Sequence, residues 1–158
     1  MKWKDLLERW GMTSLTLSVG VLETEWQPSD PDRDAAWDLY IELLTRITTQ
    51  PLADRTGVET IALESVHSLF STTREILRAR GRRCVQFTRL AVVVLNQVVR
   101  PFTDKWHPVS MQGGFSDEAT RLEFRRELHT LKQSLVTYAR ALADIAGVED
   151  LTELSRKT

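Results

Sequence analysis

The run CVQFTRLAVVVLNQVVR, Cys84 to Arg100, is the most apolar in the chain, and its reading decides the fold. On a helix, Phe87, Leu90, Ala91, Val94, Leu95 and Val98 cover one broad face, while Val92, Val93 and Val99 cover much of the rest. A helix that is apolar nearly all round is buried on several sides. The valines would also suit a strand, and periodicity alone does not separate the two in a short apolar run. Length separates them, because an uninterrupted strand of about 17 residues would be roughly three times the usual length. The stretch is therefore read as a central helix over 84–100, with Asn96 deep inside it.

Upstream, Arg78 and Arg80 precede Gly81, a helix stop with cations at the negative end of the dipole. They close a helix over 58–80 that carries Ile61, Ser65, Leu69, Phe70, Thr73, Ile76 and Leu77 along one side. Before it, Ser29-Asp30-Pro31 is a helix start, with a capping side chain followed by proline in the first turn. That helix is expected to run to Gln50 and stop at Pro51, with Trp37, Tyr40, Ile41, Leu44 and Ile47 as its stripe. A loop with Asp54 and Gly57 follows. Downstream, Pro101, Pro108 and Gly113-Gly114 punctuate 101–115, which reads as irregular. From Ser116 the spacing is cleanest: Phe124, Leu128, Leu131, Leu135, Tyr138, Leu142 and Ile145 alternate steps of four and three, a heptad seam. Gly147 closes it, and Val148, Leu151 and Leu154 form a tail over 147–158.

The first 28 residues differ in kind. Trp3, Leu6, Leu7 and Trp10 describe a short amphipathic helix ended by Gly11. Leu15, Leu17, Val19 and Val21 then alternate with Ser, Thr and Gly, the period-two signature of a half-buried strand, with 22–26 as a hairpin return. The resulting expectation is one domain over 1–158, mainly all-α: a four-helix bundle of long helices over 30–146 with a short N-terminal strand or hairpin. A lone strand leaves backbone groups unpaired. Leu15, Leu17, Val19 and Val21 are thus candidate contacts for a protein partner or for self-association.

The totals bound the function. A chain of 158 residues that is 42% hydrophobic and 27% charged is ordinary for a soluble globular protein. One cysteine, Cys84, excludes an internal disulfide and a thiolate-rich zinc site. The stretch MKWKDLLERW lacks the apolar core and cleavage site of a signal peptide. The run Leu90–Val99 is shorter than the roughly 20 residues of a membrane span. A cytoplasmic protein without membrane contact is expected.

A net charge of −1 conceals an uneven distribution. Residues 1–64 hold six Lys and Arg against twelve Asp and Glu, whereas 65–107 hold eight against two. Either oppositely charged faces meet within the fold or across a dimer, or the middle third holds an anion. The first reading makes Arg78, Arg82 and Arg83 partner contacts. The second directs attention to the corner after the central helix, where Arg100, Lys105, Trp106 and His107 follow one another. With Arg46 and Arg74 turned partly inward, these residues could receive a small anionic ligand such as a nucleotide.

Other chemistry is poorly supported. Glu64 and His67 have metal-ligand spacing on one helix, but a carboxylate-bundle metal site needs a second such motif, and none is present. No metal site, cofactor or catalytic residue is assigned. Were the chain an enzyme, His67, His107 and Glu42 would be its acid–base candidates. Cys84 follows Arg82 and Arg83 at a helix start, a setting that lowers a thiol pKa, yet a buried inert cysteine is the better reading. The arginines from 74 to 83 lack interleaved aromatics, which argues against nucleic acid.

The run from Asp34 to His107, with AAWDLYIELLTRITTQPL, SLFSTTREIL and VVLNQVVRPFTDKWH, resembles a family of small bacterial helical proteins with no described activity. The resemblance implies a bacterial, cytoplasmic setting and carries no site residue. The functional expectation therefore rests on the residues: a non-enzymatic helical interaction module or complex subunit, with a ligand-sensing bundle as the alternative and an enzyme as the third.

Overall fold

Residues 1–46 and 58–155 are described by a computed structural model, and these residues form an all-α fold. Helices α1 (Trp3–Arg9), α2 (Val19–Leu22), α3 (Asp30–Thr45), α4 (Val58–Arg80), α5 (Val85–Val94), α6 (Arg100–Met111), α7 (Glu118–Ala146) and α8 (Thr152–Ser155) follow in order. A π-helical turn, Leu95–Val99, joins α5 to α6, and a 3-10 turn, Gly114–Ser116, precedes α7. The expected end of α3 at Gln50 and Pro51, with Ile47, Asp54 and Gly57, lies outside the described residues.

Helix α3 begins as the sequence anticipates. The Ser29 hydroxyl accepts from the Asp32 N–H at 3.3 Å, and the Asp32 carboxylate accepts in return from the Ser29 N–H at 2.8 Å, a capping box. Its buried stripe is Asp32, Ala35, Ala36, Leu39, Tyr40 and Leu43, which shares Tyr40 with the expected one, while Leu44 is half-buried. Trp37 and Ile41 are 43% and 38% exposed. The large residues drew the sequence reading, but α3 packs along α7, where Ala139, Ala141 and Ala143 are also buried. Small side chains let two helices approach closely, so alanines mark the contact.

The heptad seam of α7 is buried in full, from Phe124 to Ile145. Gly147 ends that helix at φ 71°, the left-handed conformation expected at such a stop. The tail is docked beyond it: the Tyr40 hydroxyl donates to the Glu149 carbonyl at 3.0 Å and accepts from the Leu151 N–H at 2.6 Å.

Two corrections matter for function. First, 101–115 is largely helix. The central helix does not end at Arg100 but continues through the π turn into α6. Pro101 stands in the first turn of α6, and the Arg100 N–H reaches the Leu95 carbonyl, an i to i−5 bond. Proline has no N–H to return to the carbonyl four residues back and clashes with it in a regular α-helix. The wider turn lies directly before that obstacle. Asn96, expected to be buried, is exposed and accepts from Arg100 Nε at 3.0 Å.

Second, no strand occurs among the described residues, and the Leu15–Val21 alternation is not a hairpin. Its end is helical: Ser18 caps α2, its hydroxyl accepting from the Val21 N–H at 3.3 Å. The strand mate is replaced by a side chain. Gln97 accepts from the Thr16 N–H at 2.8 Å and donates to the Thr16 carbonyl at 2.7 Å. A primary amide carries both a donor and an acceptor, so it can satisfy an extended residue as a neighbouring strand would. The isolated bridge Lys2–Glu25 is the one β-type pairing of the described residues.

Candidate functional site

Two concavities gather residues singled out by the sequence. The larger is an apolar groove of about 620 Å³ between the 16–21 segment and α5, lined by Leu17, Val21, Val85, Val92 and Val93, with Thr16, Ser18 and Thr88 between them. Arg82 and Arg89 stand at its edge. The Gln97–Thr16 pair fixes one wall, and the outward face of α5 forms the other. Val19, Val85 and Val92 are 75%, 48% and 44% exposed, an unusual display of aliphatic surface. Lys2, Lys4, Arg9, Arg46, Arg80, Lys105, Arg121, Arg125 and Arg140 all pair with carboxylates. Arg82 and Arg89 pair with no carboxylate among the described residues, which leaves two unneutralised guanidinium groups at the rim.

Of the expected partner contacts, Leu17, Val21 and Arg82 meet in this groove. Leu15 points inward and is buried. Val19 projects to solvent beside the groove, whose lining does not include it. Arg78 lies in the last turn of α4, and Arg83 is exposed with its carbonyl accepting from the Ser29 hydroxyl at 3.2 Å. The aliphatic half of the groove, Val85, Val92 and Val93, was hidden in the central helix, where Val92 and Val93 read as core and Val85 was not singled out.

The smaller concavity is a polar cleft of about 360 Å³ between α4 and α6, lined by His67, Phe70, Arg74, Arg100, Thr103, Asp104, His107 and Pro108. Arg74, Arg100 and His107 come together here, as the ligand reading expects. The imidazoles of His67 and His107 stack with centroids 5.5 Å apart and planes at 28°. The Arg100 guanidinium lies 4.8 Å above the Phe70 ring. His67 and Asp104 were not assigned to this corner. Forty residues separate His67 from His107, and no local spacing signals the pairing.

The other three ligand candidates are employed elsewhere. Lys105 is turned towards α7, reaching Glu123 at 2.9 Å and Glu127 at 2.7 Å. Hydrogen bonds to Glu127 and then Glu123 hold its ammonium above the ordinary lysine range. Trp106 is buried and donates its indole N–H to Glu127. Arg46 stitches α3 to α4 through Glu42 and Thr72, at 2.9 and 2.6 Å, and through the Ser68 hydroxyl. Successive residues of a helix point about 100° apart, so a compact cluster in sequence divides between two faces.

Among the described residues no group of three His, Cys, Asp or Glu side chains is placed to hold a metal ion. The Cys84 thiol is buried and donates to the Gly81 carbonyl at 3.0 Å. No helix among the described residues is long and apolar enough to cross a membrane. No protein-family model, no curated protein and no solved structure matches this chain.

Proposed function

We propose that this chain is a non-enzymatic interaction module, a four-helix bundle that acts as a subunit of a cytoplasmic complex by docking an amphipathic, acidic helix of a partner protein into the apolar groove. The groove carries the reading: exposed Val85 and Val92 on α5, a wall held by Gln97, and two arginines at the edge that pair with no carboxylate among the described residues. Burying apolar area gives such a contact its affinity, about 25 cal/mol per Å² before association costs. The arginines select and orient an acidic partner. Helix-in-groove docking reads alternate turns of the guest, which suits a groove bounded on one side by α5.

A photo-crosslinking amino acid at Val92 tests this, with the same residue at exposed Ile61 as control. The partner captured at Val92 is identified, purified and titrated against the protein. Binding should weaken by about tenfold in R82E/R89E and fall as salt rises. Equal crosslinking at Ile61, or a complex indifferent to R82E/R89E, would refute the groove as the docking site. A captured second copy of the chain, or a lipid in place of a protein, would replace the proposed partner.

A further inference from the structure

The cleft between α4 and α6 shares no residue with the groove, and its inference is independent of the docking reading. It presents an electrostatic imbalance. Arg74 enters from α4 and Arg100 from the start of α6, and neither pairs with a carboxylate among the described residues. Asp104 lines the same cleft, yet it forms no ion pair with either arginine within 4.0 Å. Lys105, on the other side of α6, meets Glu127 at 2.7 Å. The charges of the cleft stand apart around open space.

The arginine is also held in position. Arg100 Nε donates to Asn96 at 3.0 Å, and the guanidinium plane rests over Phe70, leaving its terminal nitrogens uncommitted among the described residues. A guanidinium fixed at Nε presents its remaining N–H groups as a fork, the geometry that suits two oxygens of a phosphate. The stacked His67 and His107 rings form one wall, and both ring edges can hydrogen-bond. Phe70 and Pro108 supply apolar surface beside them. A volume of about 360 Å³ is at the small end of ligand clefts.

Asp104 narrows the ligand class. An ionised carboxylate is an acceptor only and repels an oxygen that carries charge without a proton. Placed among cations, it accommodates an anion that brings its own hydrogen-bond donor. We infer that the cleft binds a phosphate group that retains an O–H, with Arg74 and Arg100 on its charged oxygens and Asp104 accepting from its hydroxyl. Sulfate, with the same shape and no proton at neutral pH, is discriminated against.

The three histidines provide the test, because His67 and His107 are in the cleft and His129 is on α7, beside Gln133. Nitrogen-15 histidine spectra of the full chain are recorded while sodium phosphate or sodium sulfate is added at constant pH and ionic strength. Phosphate should shift the two cleft histidines saturably and leave His129 in place, and sulfate should bind about tenfold more weakly. R74Q and R100Q should each weaken phosphate binding by about tenfold, the scale of one charge-assisted contact. D104N should reduce the preference for phosphate over sulfate. R82E, on the rim of the groove, should leave the titration unchanged. All these side chains are exposed, and an unchanged far-UV spectrum confirms that each variant folds. The inference is overturned if phosphate produces no saturable shift, if sulfate binds as tightly, if His129 moves with the other two, or if R82E matters as much as R100Q.

Discussion

The carboxylate of Asp32 accepts the backbone N–H of Phe87 at 2.9 Å while its other oxygen accepts from Ser29 at 2.8 Å and 2.9 Å. Helix α5 has no side-chain cap of its own, since Cys84 at its N-cap position makes none. One buried carboxylate thus serves the N-termini of two helices, α3 directly and α5 across the fold. Each terminus offers unpaired N–H groups and the positive end of a dipole. Asp32→Ala should lower stability by about 3 kcal/mol, combining a lost cap with a stranded N–H. Urea unfolding should show a lower midpoint at unchanged slope. A loss below about 1 kcal/mol would mean that the two termini do not depend on this residue.

Tyr138 lies in the α7 seam with its hydroxyl buried and without a hydrogen-bond partner among the described residues. Burial pushes its phenol well above the ordinary tyrosine value. A raised folded-state pKa contributes stability that is complete below the unfolded value of about 10 and is lost as pH rises above it. Tyr138→Phe removes both the orphan group and the titration. At neutral pH it should be neutral or stabilising by up to about 1 kcal/mol. Above pH of about 10 the variant should outlast the parent in thermal unfolding, and identical alkaline profiles would contradict this.

Glu59 is buried where α4 meets α7, with Arg125 Nε at 3.2 Å and Arg121 Nε at 4.0 Å. The arginines are partly exposed and the glutamate is not, so the partners are unequal. Removing Arg125 leaves much of a buried charge uncompensated, whereas removing Glu59 returns the arginines to solvent. Arg125→Ala should therefore be more destabilising than Glu59→Gln, by about 1 kcal/mol or more. A double-mutant cycle should yield a coupling of about 1–3 kcal/mol, and zero coupling would refute the pairing.

The Gln97 side chain holds Thr16 by two bonds, and little else pairs that backbone. Gln97→Ala should cost only about 1 kcal/mol globally. Locally its effect should be larger: Thr16 amide exchange should accelerate by about tenfold while core amides of α7 remain unaltered. The same variant should bind the groove partner less tightly, because one wall is no longer preset. Unchanged Thr16 exchange would show that the segment is held by its leucines instead.

Legibility in the sequence followed the range of the signal. Helix α4 ends at Arg80 as expected, and α7 has its whole seam, because both rest on periodicity and on end residues that act locally. The α3 stripe was misread because Ala35 and Ala36 carry little hydrophobic weight yet occupy the contact with α7. The prolines at 101 and 108 read as breaks because proline is judged by what it removes, and a π turn compensates only in three dimensions. Alternation from Leu15 to Val21 could not reveal that a glutamine 81 residues away would take the place of a strand. Of the cleft, Arg100 and His107 were legible from the corner after the central helix, and Arg74 as a cation turned partly inward from its own helix. The joining of His67 to them depends on how α4 crosses α6, which no short window contains.

The π turn also acts as an angular setting. Each residue added to or taken from a helix rotates everything beyond it by about 100°. The stretch Leu95–Val99 therefore fixes which way α6 faces relative to α5. In the present phase Arg100, Asp104 and His107 look towards α4 while Lys105 and Trp106 look towards α7. Deleting Asn96 alone would leave composition, charge and apolar content almost untouched. It would nonetheless turn the arginine towards a different neighbour, prise Trp106 from Glu127 and part the two imidazoles. The length of the chain at this point, rather than the chemistry of any one side chain, keeps the cleft in register.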